Sequence, residues 1–243
     1  MNRIRVATYN IHKCRGMDWR VNTSRISKVI REIDADIIAV QEIFGLQAEC
    51  LAKDLKLAHV FGGVRELEGQ EYGNAVFTRL SILEAQPFSL TIGGREPRGC
   101  LRVCIAPGPV QFFAVHLGTS FFERRRQAMK LVSEEILEQP RFKGLRIVAG
   151  DFNEWTRGLA SQLLSRCLRS ADLAAHLNRS RTYPGLLPFL HLDHIYYDPA
   201  FHLSEMHLYR TPTALAASDH LPLLATFTGD HDSSMLRQCP VPS

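Results

Sequence analysis

The sequence predicts one α/β domain with substantial antiparallel strand pairing, and three observations predict it. Short apolar segments of strand type recur along the chain, segments with helical spacing lie among them, and neither a linker nor a repeat divides the 243 residues. That length suits one large domain or two small ones and can bury a core without disulfides or a structural metal. The domain is read over residues 1–228, with residues 229–243, rich in Gly, Asp, Ser and Pro, as a flexible tail.

Ile4, Val6 and Thr8 alternate with Arg3, Arg5 and Ala7, so residues 3–9 read as a strand. After a loop containing Cys14, Arg15, Gly16 and Asp18, Thr23 or Ser24 caps a helix whose Ile26, Val29, Ile30 and Ile33 fall at helical spacing. Residues 37–40 form a short, fully apolar strand, and Leu51 and Leu55 suggest a second helix. The middle reads as β over 75–78, 82–90, 101–106 and 111–115, with Gly and Pro turns between. Residues 122–137 give the strongest helix, with Met129, Val132 and Ile136 on one stripe and Glu123 to Arg126 charging the first turn. A strand at 145–149 leads to Gly150, a helix spans 159–164, and strands at 192–197, 203–208 and 221–227 follow.

Hydrophobic residues at 45% and charged residues at 22% exclude a disordered, collagenous or coiled-coil chain. No apolar run approaches the roughly 20 residues of a membrane span, so stable membrane insertion is not expected. The net charge of +4 suits a phosphate-bearing substrate but falls short of the clustered basic face that nucleic-acid binding needs. Six scattered cysteines, without a Cys-x-x-Cys pair, fit reduced thiols in a cytoplasmic enzyme and argue against a thiol or redox catalyst. The first strand starts at once, with no signal-type apolar segment ahead of it.

Polar residues of a consistent kind stand where strands stop. Asn10 and His12 follow the first strand, Gln41 and Glu42 the second, His116 the strand at 111–115, and Asp151 and Asn153 the strand at 145–149. Asp193 and His194 open another strand, and Asp219-His220 precede the last. Sheet proteins commonly place ligand sites at such ends. Carboxylate and amide oxygens without thiolates suit a hard cation such as Mg²⁺ or Mn²⁺. A His–Asp pair beside it would supply acid–base chemistry. Taken singly, each residue also has a plain reading: Asn10 as a turn residue, Glu42 as a solvated strand end, His116 as a satisfied half-buried histidine, and Asp219-His220 as a cap or turn.

The ordered set decides more than its members. Thr8-Tyr9-Asn10-Ile11-His12, Val40-Gln41-Glu42, His116-Leu117-Gly118, Gly150-Asp151-Phe152-Asn153, Leu192-Asp193-His194 and Ser218-Asp219-His220-Leu221-Pro222 occur in one order across residues 4–227. This series resembles the endonuclease/exonuclease/phosphatase superfamily of metal-dependent phosphoesterases, in particular its deoxyribonuclease-like, sphingomyelinase-like and small bacterial members. The resemblance implies a four-layer sandwich of two mixed, largely antiparallel sheets flanked by helices. It implies Asn10, Glu42 and Asp219 at the metal, with Glu42 the principal Mg²⁺ ligand. It implies that Asp151 and Asn153 orient water and contact the phosphate, that Asp193 orients the catalytic His220, and that His116 sits near the phosphate. Apurinic endonucleases have a tyrosine in the place of His116, which argues against that branch.

Asn74, in Tyr72-Gly73-Asn74-Ala75, resembles a Gly-Asn segment of bacterial members and is expected to reach the phosphate, or else to close a turn. Arg95, Arg98 and Arg102 form a phosphate patch or solvated strand charges. Trp155 stacks on a base or packs internally, and residues 186–190 form an apolar rim or an ordinary packed loop. The expected activity is hydrolysis of a phosphodiester in DNA, RNA or a phospholipid-type substrate by a monomer without a partner protein. The alternative is a catalytically silent binding module on the same fold.

Overall fold

A computed structural model describes residues 3–106, 108, 110–154, 158–171, 182–185 and 190–228. Its elements are β1 (Arg3–Asn10), α1 (Thr23–Ile33), β2 (Ile37–Phe44), α2 (Gly45–Leu55), β3 (Ala58–Leu67), β4 (Gln70–Thr78), β5 (Ile82–Ser89), β6 (Gly99–Ile105) and β7 (Val110–His116). They continue with α3 (Phe121–Leu131), β8 (Leu145–Asp151), α4 (Leu159–Leu164), β9 (Arg169–Ser170), β10 (Asp193–Tyr197), β11 (His202–Leu208), α5 (Pro212–Ala217) and β12 (Leu223–Thr228).

Two six-stranded sheets result, in the orders β11-β12-β1-β2-β4-β3 and β5-β6-β7-β8-β10-β9. Within each, the two central neighbours run parallel (β1 with β2, β7 with β8), and the other pairs are antiparallel. Strand alternation explains the layering. Ile4, Val6, Ile37, Ala39 and Val76 of the first sheet meet Leu101, Val103, Phe112, Ala114, Ile147 and Ala149 of the second in one central core. The opposite faces pack under helices: Ala7, Tyr9, Ile38 and Val40 against Ile26, Val29 and Leu51, and Phe113, Val115 and Val148 against Ala128 and Leu164. This is the expected helix–sheet–sheet–helix sandwich.

Local differences have physical reasons. Asn22, not Thr23 or Ser24, caps α1, accepting from the Arg25 N–H at 2.9 Å. The strands β3 and β9 and the helix α5 were not foreseen from the sequence. β3 is a half-exposed edge strand with Gly62 and Gly63 in it, so it lacks clean alternation. β2 does not stop at Val40 but runs on to Phe44 through a register shift. α3 ends at Leu131, and Met129, expected on its buried stripe, is 53% exposed. Trp155, residues 186–189 of the expected apolar rim and the expected tail at 229–243 lie outside the described residues.

Candidate active site

The strand ends explain why the polar residues meet. On β1, Ile4 and Val6 face the central core, and two and four steps further on come Thr8 and Asn10, both buried. The same count carries Phe112 and Ala114 to His116, Ile147 and Ala149 to Asp151, and, read backwards, Tyr197 and Ile195 to Asp193 and Val76 to Asn74. Each strand's inward stripe turns polar at one end, and those ends share one edge of the sandwich. β2 needs a device to join them. Period two would aim Gln41 inward, but the register shifts between Val40 and Ile43 and Glu42 takes φ +57°, a bulge that re-aims the carboxylate. Gly150 lets β8 approach β7 there, because a Cβ at that position would run into the Val115 carbonyl oxygen.

Asp151 is the centre. Asn10 Nδ2 donates to Asp151 Oδ2 at 3.0 Å and to Glu42 Oε1 at 3.1 Å, while Asn10 Oδ1 accepts from the His12 N–H at 3.1 Å. Asp151 Oδ2 also lies 3.7 Å from His220 Nε2 and 3.8 Å from His116 Nε2. His220 Nδ1 is 2.9 Å from Asp193 Oδ2. Asn153, at φ +50°, donates its backbone N–H to Asp151 Oδ1 and its amide to the Leu117 carbonyl. Ser218 Oγ donates to the Asn10 carbonyl at 2.8 Å, tying β1 to the segment that bears Asp219 and His220.

Burial and charge set the proton affinities. Burial, helped by the nearby Asp193 charge, pushes Asp151 up to about 7 despite His220 and its hydrogen-bond donors. For His220, burial works against the imidazolium, but Asp193, Asp151 and Asp219 together outweigh it and push the group up to about 10. His116 goes the other way: burial, then the Arg98 charge, holds it neutral, well below the ordinary histidine range. Arg98 Nη1 is 3.1 Å from both ring nitrogens of His116. An atom at that range from both nitrogens cannot lie in the ring plane without overlapping Cε1. The guanidinium therefore covers the face of the ring, and its other end is held by Glu96 at 2.7 Å.

Eight of the nine anticipated residues are connected by these contacts or by the chain itself, Asp219 following Ser218 and facing His12 Nδ1 at 3.7 Å. Asn74 stands apart: its amide donates to the Gly99 carbonyl at 3.2 Å, beside a cavity of about 210 Å³ that Arg98 and Phe88 also line. The arginine trio divides. Arg98 belongs to the site, Arg95 is exposed, and Arg102 is buried on the outer face of β6, bonded to Gln111 and stacked on Phe142 at 3.6 Å. Neither the patch nor the solvated reading was right for Arg102. Sequence reasoning missed Arg98's role, Tyr183, whose ring packs 4.8 Å from that of His220, and Thr182, whose Oγ1 accepts from Asp193 N–H. Arg98 stood in the arginine group noted above and Thr182 and Tyr183 just ahead of the 186–190 stretch, which was the one available signal.

The residues fit a divalent cation. Asp151, Asp193 and His220 each bring a ligand atom within 4.8 Å of the others. Asp193 Oδ1 is buried without a hydrogen-bond partner, and the donors nearby are hard oxygens. Since His220 and Asp193 already bond each other, the carboxylates of Glu42, Asp151 and Asp219 are the freer donors.

The family model described as Endonuclease/Exonuclease/phosphatase family matches residues 7–220. The chain belongs to this family. Endonuclease/exonuclease/phosphatase proteins are hydrolases acting on phosphoesters. Among relatives, the uncharacterized protein YbhP of Escherichia coli K12 is 29% identical over 91% of this chain and 94% of its own. A family protein of Bacteroides thetaiotaomicron superposes with TM-score 0.79 at 22% identity over 94% of this chain and 95% of that one. The catalytic domain of human nocturnin gives 0.73 at 19%, over 93% and 94%. These structures share the fold.

Proposed function

We propose that the protein hydrolyses a phosphodiester with Mg²⁺ or Mn²⁺, in a nucleic-acid or phospholipid-type substrate, as a cytoplasmic monomer whose residues 1–228 act as one domain. One observation carries this reading: a buried carboxylate, Asp151, lies within 4 Å of three nitrogen donors from three other segments, Asn10, His116 and His220. Such a grouping disfavours a purely structural role, since burying so much charge is costly.

Glu42, Asp219 and Asp151 would hold the cation, which when bound would neutralise charge on the phosphoryl oxygens. Asp151 would hold the attacking water and take its proton, and His220, kept in one tautomer by Asp193, would give a proton to the leaving alcohol. Neutral His116 and the Asn153 amide would donate to phosphoryl oxygens, and Asn74 would line the adjoining substrate pocket. The water oxygen joins phosphorus, one P–O ester bond breaks, and the alcohol leaves with a proton; no co-reactant is needed.

Hydrolysis of bis(4-nitrophenyl) phosphate tests the proposal. Activity should require a divalent cation, vanish in EDTA, return with Mg²⁺ or Mn²⁺ and be lost in Asp151→Asn. Glu42→Gln should raise the cation concentration needed for half-maximal rate. Full activity after exhaustive chelation would remove the metal from the reading.

A further inference from the structure

Helix α3 is inside out. Its buried residues include Glu123, Arg124 and Gln127, whereas Phe121, Phe122 and Met129 are exposed, Phe122 at 72%. The buried polar side chains have work that explains them: Gln127 accepts from the Gly118 N–H and donates to Glu123, and Arg124 donates to the Gly118 and Thr119 carbonyls. They pin the loop that follows His116. Nothing in the fold explains the outward face. Phe121, Phe122, Arg125, Arg126 and Met129 recur at i, i+1, i+4, i+5 and i+8, one stripe of a helix, with two exposed arginines and no acidic residue on it.

A second patch stands on the other sheet. After Asn10, the chain forms a tight turn closed by the Arg15–Val21 bridge, with Trp19 at φ +62° and 76% exposed beside Met17, Arg20 and Val21. The turn is braced on α5: Met17 N–H and Arg25 both donate to the Ala216 carbonyl, and Asp18 is neutralised by Arg25 at 2.7 Å. That bracing ties it to the residue two positions ahead of Ser218 in the segment that bears Asp219 and His220. Leu46, also exposed, opens α2 four residues past Glu42. Among the described residues, only Leu83 is an exposed large hydrophobic outside these connections, which all leave the site ends of β1, β2 and β7.

We propose that this rim docks the site mouth on an anionic phospholipid surface, so that the phosphodiester hydrolysed belongs to a lipid presented there. The substrate clause rests on the catalytic reading above; the docking clause does not. Aromatic and aliphatic side chains flanked by arginines, with Glu123 buried and Asp18 paired, match the apolar depth and negative charge of such an interface. Single-stranded nucleic acid also takes aromatics with arginines, but there stacking rings are the main apolar element. Here Met17, Val21, Leu46 and Met129 are aliphatic, which favours lipid.

The test is sedimentation with phosphatidylcholine vesicles, with and without phosphatidylglycerol, of the wild type, Phe122→Ser/Met129→Gln and Trp19→Ser, beside hydrolysis of soluble bis(4-nitrophenyl) phosphate. All three substituted side chains are solvent-exposed, so the fold should stand. The expected result is binding that needs phosphatidylglycerol, weakened roughly tenfold or more in each variant, as losing one buried large side chain implies, with the soluble-diester rate unchanged. Wild-type hydrolysis of vesicle lipid should fall with binding. No vesicle binding by the wild type, or binding equal in the variants, overturns the proposal. So does loss of oligonucleotide binding or of a dimer in the variants while vesicle binding persists. Vesicle binding without any diester hydrolysis would instead sink the catalytic reading and its substrate clause, leaving docking intact.

Discussion

His220 Nδ1 sits 2.9 Å from Asp193 Oδ2, with Asp193 fully buried and its N–H facing Thr182 Oγ1. The imidazole can therefore present only Nε2 to Asp151 and to whatever enters the cleft. Removing an acid–base group of this kind typically costs 10²–10⁴-fold, so His220→Ala should lose at least ~10²-fold in turnover. Asp193→Asn should lose less, because the ring stays. The double variant should be scarcely worse than His220→Ala, since residues acting as a unit are not additive. Multiplying losses would mean that the two act independently.

Stability of the protein without cation should fall as pH rises above about 7. Asp151 and His220 are both raised, to about 7 and about 10, from 3.8 and 6.5. At these two groups the folded state then binds more protons than the unfolded one between each pair of values, so their contribution to the slope of unfolding free energy with pH is negative. The His220 contribution is complete below 6.5 and gone by about 10; the cost of ionised Asp151 grows between about 4 and 7. Thermal melts in EDTA from about pH 7 to 9 should show a falling Tm, and Mg²⁺ should flatten the slope; below about 6.5 the buried, neutral His116, His191 and His194, whose proton affinities are lowered, act in the opposite sense. A Tm that climbs over that range would contradict the charge balance described.

Arg98→Met should raise the pKa of His116, because the guanidinium over the ring is the largest charge holding it down. Ring-nitrogen NMR titration measures this directly. An unmoved His116 would mean that burial alone keeps it neutral.

Gly150→Ala should destabilise the fold by about 1–3 kcal/mol or more, the cost of forcing extra volume into a packed interior. The added methyl meets Val115 backbone rather than a movable side chain. Urea unfolding would register it as a lower midpoint at unchanged slope.

The sandwich was legible because the strand patterns and six ordered motifs pointed to it together. Asn10, His116, Asp151 and Asp193 were legible for the same reason that they converge: each continues a strand's inward stripe. Glu42 shows the limit. Its identity was plain, but alternation points Gln41 inward, where it stays bonded to Thr8, and only the bulge in the folded strand brings Glu42 to the site as well. Arg98 was opaque as a partner of His116 because their contact runs across two strands, Gly99 pairing with His116 in register. α3 misled for a different reason. Helical spacing identifies a stripe but not which side faces in, and the backbone of the Gly118–Thr119 loop claimed the polar side.

The place of β1 inside the first sheet has a consequence for synthesis. Arg3 pairs with Thr228, so during synthesis one edge of β1 waits for the last strand described. Until then that edge is an open row of amide and carbonyl groups, a template for unwanted pairing with a neighbouring nascent chain. The Ser218 hydroxyl reaches the Asn10 carbonyl only when that wait ends. A stalled or prematurely terminated product therefore cannot be a weak version of this enzyme; it is an inactive chain with an unpaired strand.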